Sequence, residues 1–236
     1  SPAGVGVMAV IIALALMTGV QAELRDRIVG ATAHMYVYKL PGPFDSVDQE
    51  LAKVDVPGVV AAAPAVIGPV LLLAGGTDYA VLKGIDPALE AGVTDIEASM
   101  EAGSLAALTD RGPDAHDGII LGADLAAAMN VRPGDIVWAY GTAMTSGVMG
   151  LRPRSRPLEV VGTVRFGFYE VDSRYAFATL DTATALIAGE GPNMLQLRLA
   201  DIDQARRVRD DLQERLGTGY HVQDWIELNE NLYSAL

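Results

Sequence analysis

No side chain from Ser1 to Ala22 carries a charge, whereas four of the next five positions do: Glu23, Arg25, Asp26 and Arg27. An α-helix needs about 20 consecutive apolar residues to cross the hydrocarbon core of a bilayer, so the uncharged run has the length of a span. Gly4, Gly6 and Gly19 weaken a helix in water but are common where membrane helices pack closely. Two other readings compete. A buried core helix is disfavoured by the length of the run. A cleaved secretory signal is suggested by Val20-Gln21-Ala22, which resembles a small-residue cleavage site, but no basic stretch precedes it. The charged continuation keeps the helical period, with Val20, Leu24 and Ile28 at i, i+4 and i+8. Glu23 stands four residues before Arg27, the favourable order for a pair on a helix, and Gly30 is a plausible stop. The pattern predicts a retained transmembrane helix over residues 1–29 that continues unbroken from the bilayer into water.

The remaining residues suffice for one large domain or two small ones with a substantial core. Of 236 residues, 17 are basic and 30 acidic, giving a net charge of −13. Nucleic-acid binding needs a positive field, so this balance argues against it, and equally against adhesion to anionic lipid by charge alone. The absence of cysteine removes disulfides, thiolate chemistry and cysteine-based metal sites together.

"HMYVYKL" alternates and is rich in aromatic and β-branched residues, so it reads as a strand. Ser46 to Val54 reads as a short amphipathic helix capped by Ser46. "GVVAAAPAV" and "GPVLLLAGG" read as two short strands punctuated by Gly and Pro, and Thr77–Asp86 as a third. After Ile85-Asp86-Pro87 comes an acidic, irregular stretch. "GIILGADLAAAMNVRPGDIVWAY" predicts strand, helix, turn and strand. "LEVVGTVRFG", "RYAFATL" and "NMLQLRLA" are further strands. Asp181 is placed to cap "TATALIAG", and Ile202 to Leu216 has the clearest helical face. "GYHVQDW" is a last strand, and "DWIELNENLYSAL" begins a helix. The flanks, β-α-β-β-β and β-α-β, can complete one sheet with the middle inserted as a second lobe.

Catalytic constellations are weak. His34, His116 and His221 lack ligand spacing, and "DAHDG" reads as a solvated loop rather than a cation site. Gly75-Gly76 has no following Lys-Ser or Lys-Thr and fits a hairpin turn better than a phosphate loop. Ser146 and Ser173 have no partner histidine nearby in sequence. Glu170 and Asp172 would share one face of a strand, where such pairs usually sit in water. Gly141–Arg156 is different. It has no acid, three arginines and two methionines. As a mere connection it would be long. Met and Arg together are enriched at protein interfaces, so a binding role against a partly acidic partner is the stronger reading.

Several stretches resemble a known family. "GVMAVIIALALMTGVQAELRDRIVGATAHMYVY", "LKGIDP", "GIILGADLAAAMNVRPGDIV", "VVGTVRFGFYEVDSRYAFATLDTATAL" and "VQDWIELNENLYSAL" are similar, in order, to segments of lipoprotein-releasing permeases, the LolC and LolE subunits of an ABC transporter. The Tyr-Glu-x-Asp-Ser and Asp-Trp-x-x-x-Asn-x-x-Leu clusters are the specific parts. The resemblance implies an α+β fold of the MacB-like periplasmic core type. Residues 1–29 would be the transmembrane helix with its extension. Residues 31–86 and 192–228 would form a split Porter-like lobe, 87–191 an inserted β-rich Sabre-like lobe, and 229–236 the lead into a second membrane helix. It implies a non-catalytic subunit of the bacterial inner membrane with most of this chain in the periplasm. Its partners would be a LolD-like cytoplasmic ATPase that binds the ATP and Mg, a second permease subunit or another copy of itself, a LolA-like carrier, lipoprotein cargo and membrane lipid. No cofactor is expected in this chain. In the LolC branch a projecting Hook, helped by a nearby Pad, grips the carrier. The resemblance places the Hook tip at Val148, Met149 and Gly150, with a later proline at Pro153 and a basic Pad position at Arg156, and Arg154 is counted with them as carrier-binding. Val148 departs from the proline that LolC tips carry. The alternative is a MacB-type efflux or signalling permease that works as a mechanical lever on another periplasmic partner.

Overall fold

The structure, a computed structural model, describes residues 32–147, 150–187 and 191–228. The transmembrane helix expected over residues 1–29 and the segment 229–236 lie outside the described residues. Among the described residues no helix is long and apolar enough to cross a membrane.

The strands are β1 (Met35–Lys39), β2 (Val59–Leu73), β3 (Thr77–Ile85), β4 (Met100–Gly103), β5 (Asp117–Gly122), β6 (Ile136–Gly147), β7 (Gly150–Val164), β8 (Tyr175–Thr179), β9 (Met194–Leu199) and β10 (Tyr220–Asp224). The helices are α1 (Val47–Lys53), α2 (Pro87–Val93), α3 (Ala123–Met129), α4 (Tyr169–Asp172), α5 (Leu180–Ile187), α6 (Ala205–Leu216) and α7 (Trp225–Leu228). Ser46 caps α1 as expected, its hydroxyl accepting from the Gln49 N–H. At α5 the cap is Thr179, whose hydroxyl accepts from the Thr182 N–H. Asp181 lies inside the first turn instead.

The two short apolar strands expected between Gly58 and Gly76 are one strand, β2, with Pro64, Gly68 and Pro69 in its interior. Its two ends have different neighbours. Residues 59–65 pair with β9, whereas 71–73 pair with β6. Between them only β3 is its partner, so Pro69 sits where one edge is open and a missing N–H costs little. Gly68 faces inward, and a Cβ there would come within 2.3 Å of Ile187 Cγ2 on α5. The absent side chain lets the helix approach.

Ladder order is β10-β1-β9-β2-β3-β8-β5-β7-β4, with β6 joined to both β2 and β7. The path β2-β3-β8-β5-β7-β6 therefore returns to β2 and closes a barrel. Alternation fills its inside, as the side-chain period of a strand requires: Leu72, Leu82, Ile119, Leu121, Val137 and Leu158 are fully buried in one cluster with Ala183 and Leu186 of α5. A second core lies under β1, β9 and β10, where Val208 and Leu212 of α6 pack on Val37, Leu195 and Val222. Strands from the two ends of the described chain thus meet, because β1 lies between β9 and β10. Composition placed a border at Asp86, yet β3 just before it pairs in parallel with β8, far beyond it.

One buried polar group ties these segments together. Glu90 of α2 is wholly enclosed, as is Gln196 of β9. Its Oε1 accepts from Lys83 Nζ on β3 at 2.8 Å and from the Thr94 hydroxyl at 3.0 Å, and its Oε2 from Gln196 Nε2 at 2.8 Å. Strand, helix and strand from three parts of the sequence share one carboxylate. Asp172 is a second structural carboxylate. The strand expected around Glu170 and Asp172 is the short helix α4, and Asp172 turns inward to accept from the N–H groups of Phe166 and Gly167. The pairing of these two acids on one wet face does not occur.

His34 is buried, and its Nδ1 accepts from the Leu199 N–H at 3.1 Å, so this nitrogen carries no proton. Burial first, and the charge of Arg198 second, hold its pKa below the ordinary 6.5.

Two outcomes follow from these buried groups. Glu90→Ala leaves the Lys83 ammonium buried without its partner and should cost about 3–5 kcal/mol in urea unfolding. Glu90→Ala combined with Lys83→Met should recover part of that loss. For His34, the unfolded chain binds the proton more readily than the folded one. Stability is therefore at its full value above pH 6.5 and falls as the pH drops toward the lowered folded pKa. In His34→Gln the unfolding midpoint should depend less on pH across this window, and an unchanged acid limb would exclude His34 as its cause.

Candidate functional site

The stretch 141–156, expected as an irregular loop, is the far part of the β6–β7 hairpin. Ile136 faces Glu159, Trp138 faces Pro157 and Tyr140 faces Ser155; then the register slips, and Met144 faces Pro153 and Ser146 faces Leu151. The slip places Gly141, Thr142 and Ala143 against Arg154, a bulge that bends a ribbon and raises its twist. Bulges lack a simple sequence period, which is why the strand was hidden.

The bulge rests on the C-terminal end of α5. A Cβ on Gly141 would lie 1.9 Å from the Leu186 carbonyl oxygen, so only glycine permits this approach. The Thr142 hydroxyl donates to the Ile187 carbonyl at 3.0 Å, and Arg154 Nη1 to the Ala185 carbonyl at 3.4 Å. A helix C-terminus presents unsatisfied carbonyls and a partial negative charge, so hydroxyl and guanidinium donors suit it.

Register divides the hairpin into two unlike faces. Arg152, Arg154 and Arg156 alternate along β7 on the face that, nearer the barrel, turns Leu158 inward. Arg156 Nη1 pairs with Asp117 Oδ2 at 2.7 Å. Arg152 has no ion pair among the described residues. Together the three arginines border an open cleft of about 630 Å³ with Tyr140, Thr145 and Ala185. The opposite face carries Trp138, Met144, Leu151 and Pro153, and Leu151 is 72% exposed. The ribbon leaves the core with arginine on one side and large exposed apolar groups on the other. It suits a partner that offers acid to one face and an apolar surface to the other.

The expected site residues fall on this ribbon as follows. Gly150 faces Gly147 at its end, with φ of +99°. Pro153 is exposed opposite Met144, Arg154 is tied to α5, and Arg156 is paired with Asp117. Val148 and Met149 lie outside the described residues. Sequence reasoning did not reach Trp138 and Leu151 as members of one face, because pairing across the hairpin puts them there. It also passed over Glu90. Its helix was announced by Asp86-Pro87, a capping residue before an N-terminal proline, and Asp86 does accept from the Ala88 N–H.

The chain matches the family model of the MacB-like periplasmic core domain over residues 4–215. It is 32% identical to the lipoprotein-releasing system transmembrane protein LolC of Xylella fastidiosa (strain Temecula1) over 98% of its length, covering 55% of that protein. It is 31% identical to LolC of Neisseria meningitidis serogroup B, again over 98% of its length and 56% of that protein. It thus spans about half the length of these curated relatives. The crystal structure of the periplasmic region of MacB from Actinobacillus actinomycetemcomitans superposes with a TM-score of 0.53 at 14% identity, covering 88% of this chain and 95% of that one. This last likeness is one of fold.

Gly141→Ala should displace the bulge from α5 and cost about 1–3 kcal/mol, as overpacking at a tight contact does. Hydrogen exchange at Thr142 to Ser146 should quicken in this variant. Unchanged exchange would mean that the α5 contact does not hold the hairpin.

Proposed function

This chain belongs to the MacB-like periplasmic core domain family, and from that premise we propose that it is the extracytoplasmic part of an ABC-transporter permease that releases lipoproteins from the inner membrane. The observation that carries this reading is the identity of about one third with LolC proteins along nearly the whole chain. The fold likeness to MacB fits any transporter of this architecture and does not by itself favour a drug-efflux or signalling role.

In this reading residues 1–29 are the membrane helix, and residues 229–236 lead to the next. Residues 31–86 with 192–228 form a Porter-like lobe, supported by β1 lying between β9 and β10. Residues 87–191 form a Sabre-like insertion, tied to the first lobe by the β3–β8 ladder and the Glu90 cluster. ATP and Mg belong to a cytoplasmic ATPase subunit. A second permease subunit, or another copy, completes the membrane part, and ATP-driven motion reaches the periplasmic body through the membrane helices.

The β6–β7 hairpin is the docking element for a soluble periplasmic carrier. Its apolar face, with Leu151 and Pro153 beside the tip at Val148, Met149 and Gly150, enters an apolar site on the carrier. Arg154 and Arg156 meet acidic groups at its rim. Desolvated apolar anchors set the off-rate, and rim charges set the on-rate and its salt dependence.

Two measurements test this. Leu151→Asp places a charge in the apolar contact and should weaken carrier binding at least about tenfold. Its unfolding midpoint should stay unchanged, because Leu151 is exposed. Arg154→Ala combined with Arg156→Ala should lower the on-rate and flatten its dependence on salt. Carrier affinity unaltered in both variants would remove the docking role.

A further inference from the structure

Three hydrogen bonds converge on His34. Its N–H donates to the Leu197 carbonyl at 3.0 Å, its ring Nδ1 accepts from the Leu199 N–H at 3.1 Å, and its carbonyl accepts from the Trp225 N–H at 3.0 Å. One residue thus fastens the start of β1 and the start of α7 to β9 at a single corner of the sheet. The rest of α7 depends on the same corner. Asp224 Oδ1 accepts from the N–H groups of Ile226 and Glu227, and Arg209 of α6 reaches both Asp224 and Glu227. Among these contacts, the bond to Leu199 is made by an imidazole, the side chain whose charge changes near neutrality.

The corner has no means of accommodating a second ring proton. A protonated Nδ1 is a donor, so it would meet the Leu199 N–H donor to donor. His34 is only 6% exposed, and its Nε2 has no hydrogen-bond partner among the described residues. The charged groups around the ring are already committed. Arg198 on β9 opposes another positive charge, and Asp95, which favours one, pairs with Arg198 at 2.8 Å. Glu90 of α2 is enclosed by Lys83, Thr94 and Gln196, and Asp224 holds α7 and Arg209. Tyr36, two residues along β1, is kept neutral by burial. An imidazolium here would lack both solvent and an uncommitted counter-charge among the described residues. The apolar cluster at this corner, under β1, β9 and β10, is separate from the one inside the barrel, and regions divided in this way can open separately.

We propose that His34 is a pH-sensitive latch: with Nδ1 unprotonated it locks β1 and α7 onto β9, and its protonation frees this corner while the barrel stays folded. In the opened corner the ring meets water and takes a proton near the ordinary 6.5, whereas in the closed corner it does so only at lower pH. The latch therefore has full strength above pH 6.5 and weakens as the pH falls toward the lowered value. A site that must open to bind its proton should open about five- to tenfold more often at pH 5.5 than at pH 7.5. The latch is independent of cargo and carrier.

Amide hydrogen exchange on the full chain tests this, with each rate corrected for its intrinsic pH dependence. The Leu199 and Trp225 amides should exchange faster than those of β5 and β7 in the barrel, through an opening that low urea leaves unchanged. That opening should rise about five- to tenfold from pH 7.5 to 5.5. Asparagine offers an acceptor oxygen near the Nδ1 position and does not titrate, so His34→Asn should keep the corner closed and abolish the acid response. His221→Gln, which alters the exposed histidine opposite Tyr38, should retain the response. Ring nitrogen shifts of the wild-type chain at pH 7.5 should show Nδ1 bare and Nε2 protonated, a check that stands even where His34→Asn does not fold. Exchange at Leu199 only in step with the barrel, an acid response that survives His34→Asn, or a proton on Nδ1 at pH 7.5 would each overturn the proposal.

Discussion

Three residue pairs close the barrel: Leu71 with Tyr140, Leu72 with Ala139 and Leu73 with Trp138. Without them β6 would have β7 as its only neighbour, and the hairpin would be a two-stranded ribbon, which is marginal in water. With them, the inner positions of six strands point into one cluster, and the outer positions of the same strands become a surface. The direction of the hairpin, the separation of its faces and the continuity of its apolar side with β2 all depend on this short ladder. The period of two along a strand gives one closure two structural consequences, a filled interior and an outward face.

Charge is arranged with the same economy. The chain carries −13 overall, yet the ribbon from Gly141 to Arg156 holds three arginines and no acid. One arginine leans on carbonyls of α5 and another on Asp117, so much of the basic face is braced within the chain. Deep in the body the logic reverses. The Glu90 carboxylate is enclosed, and its charge is tolerated because a lysine, a threonine and a glutamine converge on it. It fixes how α2 and β9 meet β3, a specificity that apolar packing alone would leave looser.

Much of the fold could be read from residue order. Strand alternation at Met35 to Lys39, the Ser46 cap, the helical face of Val208 and Leu212, and the meeting of the two flanks all follow from periodicity and turn chemistry. The failures share a cause. Pro64, Gly68 and Pro69 look like breaks when each is judged alone, but an open edge and an approaching helix make them tolerable inside β2. Glu170 and Asp172 look like a strand pair until Asp172 turns inward to satisfy two backbone donors. Asp181 is a good cap residue displaced by Thr179, one helical turn before Thr182. The hairpin has no readable period because its bulge interrupts the alternation.

Residue sequence alone determined many of the local elements and the chemistry available to them: an uncharged run of membrane-spanning length, no thiol, an acidic body with one basic stretch, and caps and alternations that fix local conformation over a few residues. Those signals act between neighbours, so they survive in a linear reading. Tertiary structure decided which residues became partners. Leu71 lies 69 positions from Tyr140 and Glu90 lies 106 from Gln196, and no local rule selects such pairs. Closure of the barrel and burial of one carboxylate select them, because only the assembled sheet satisfies its edges and its buried charge at once.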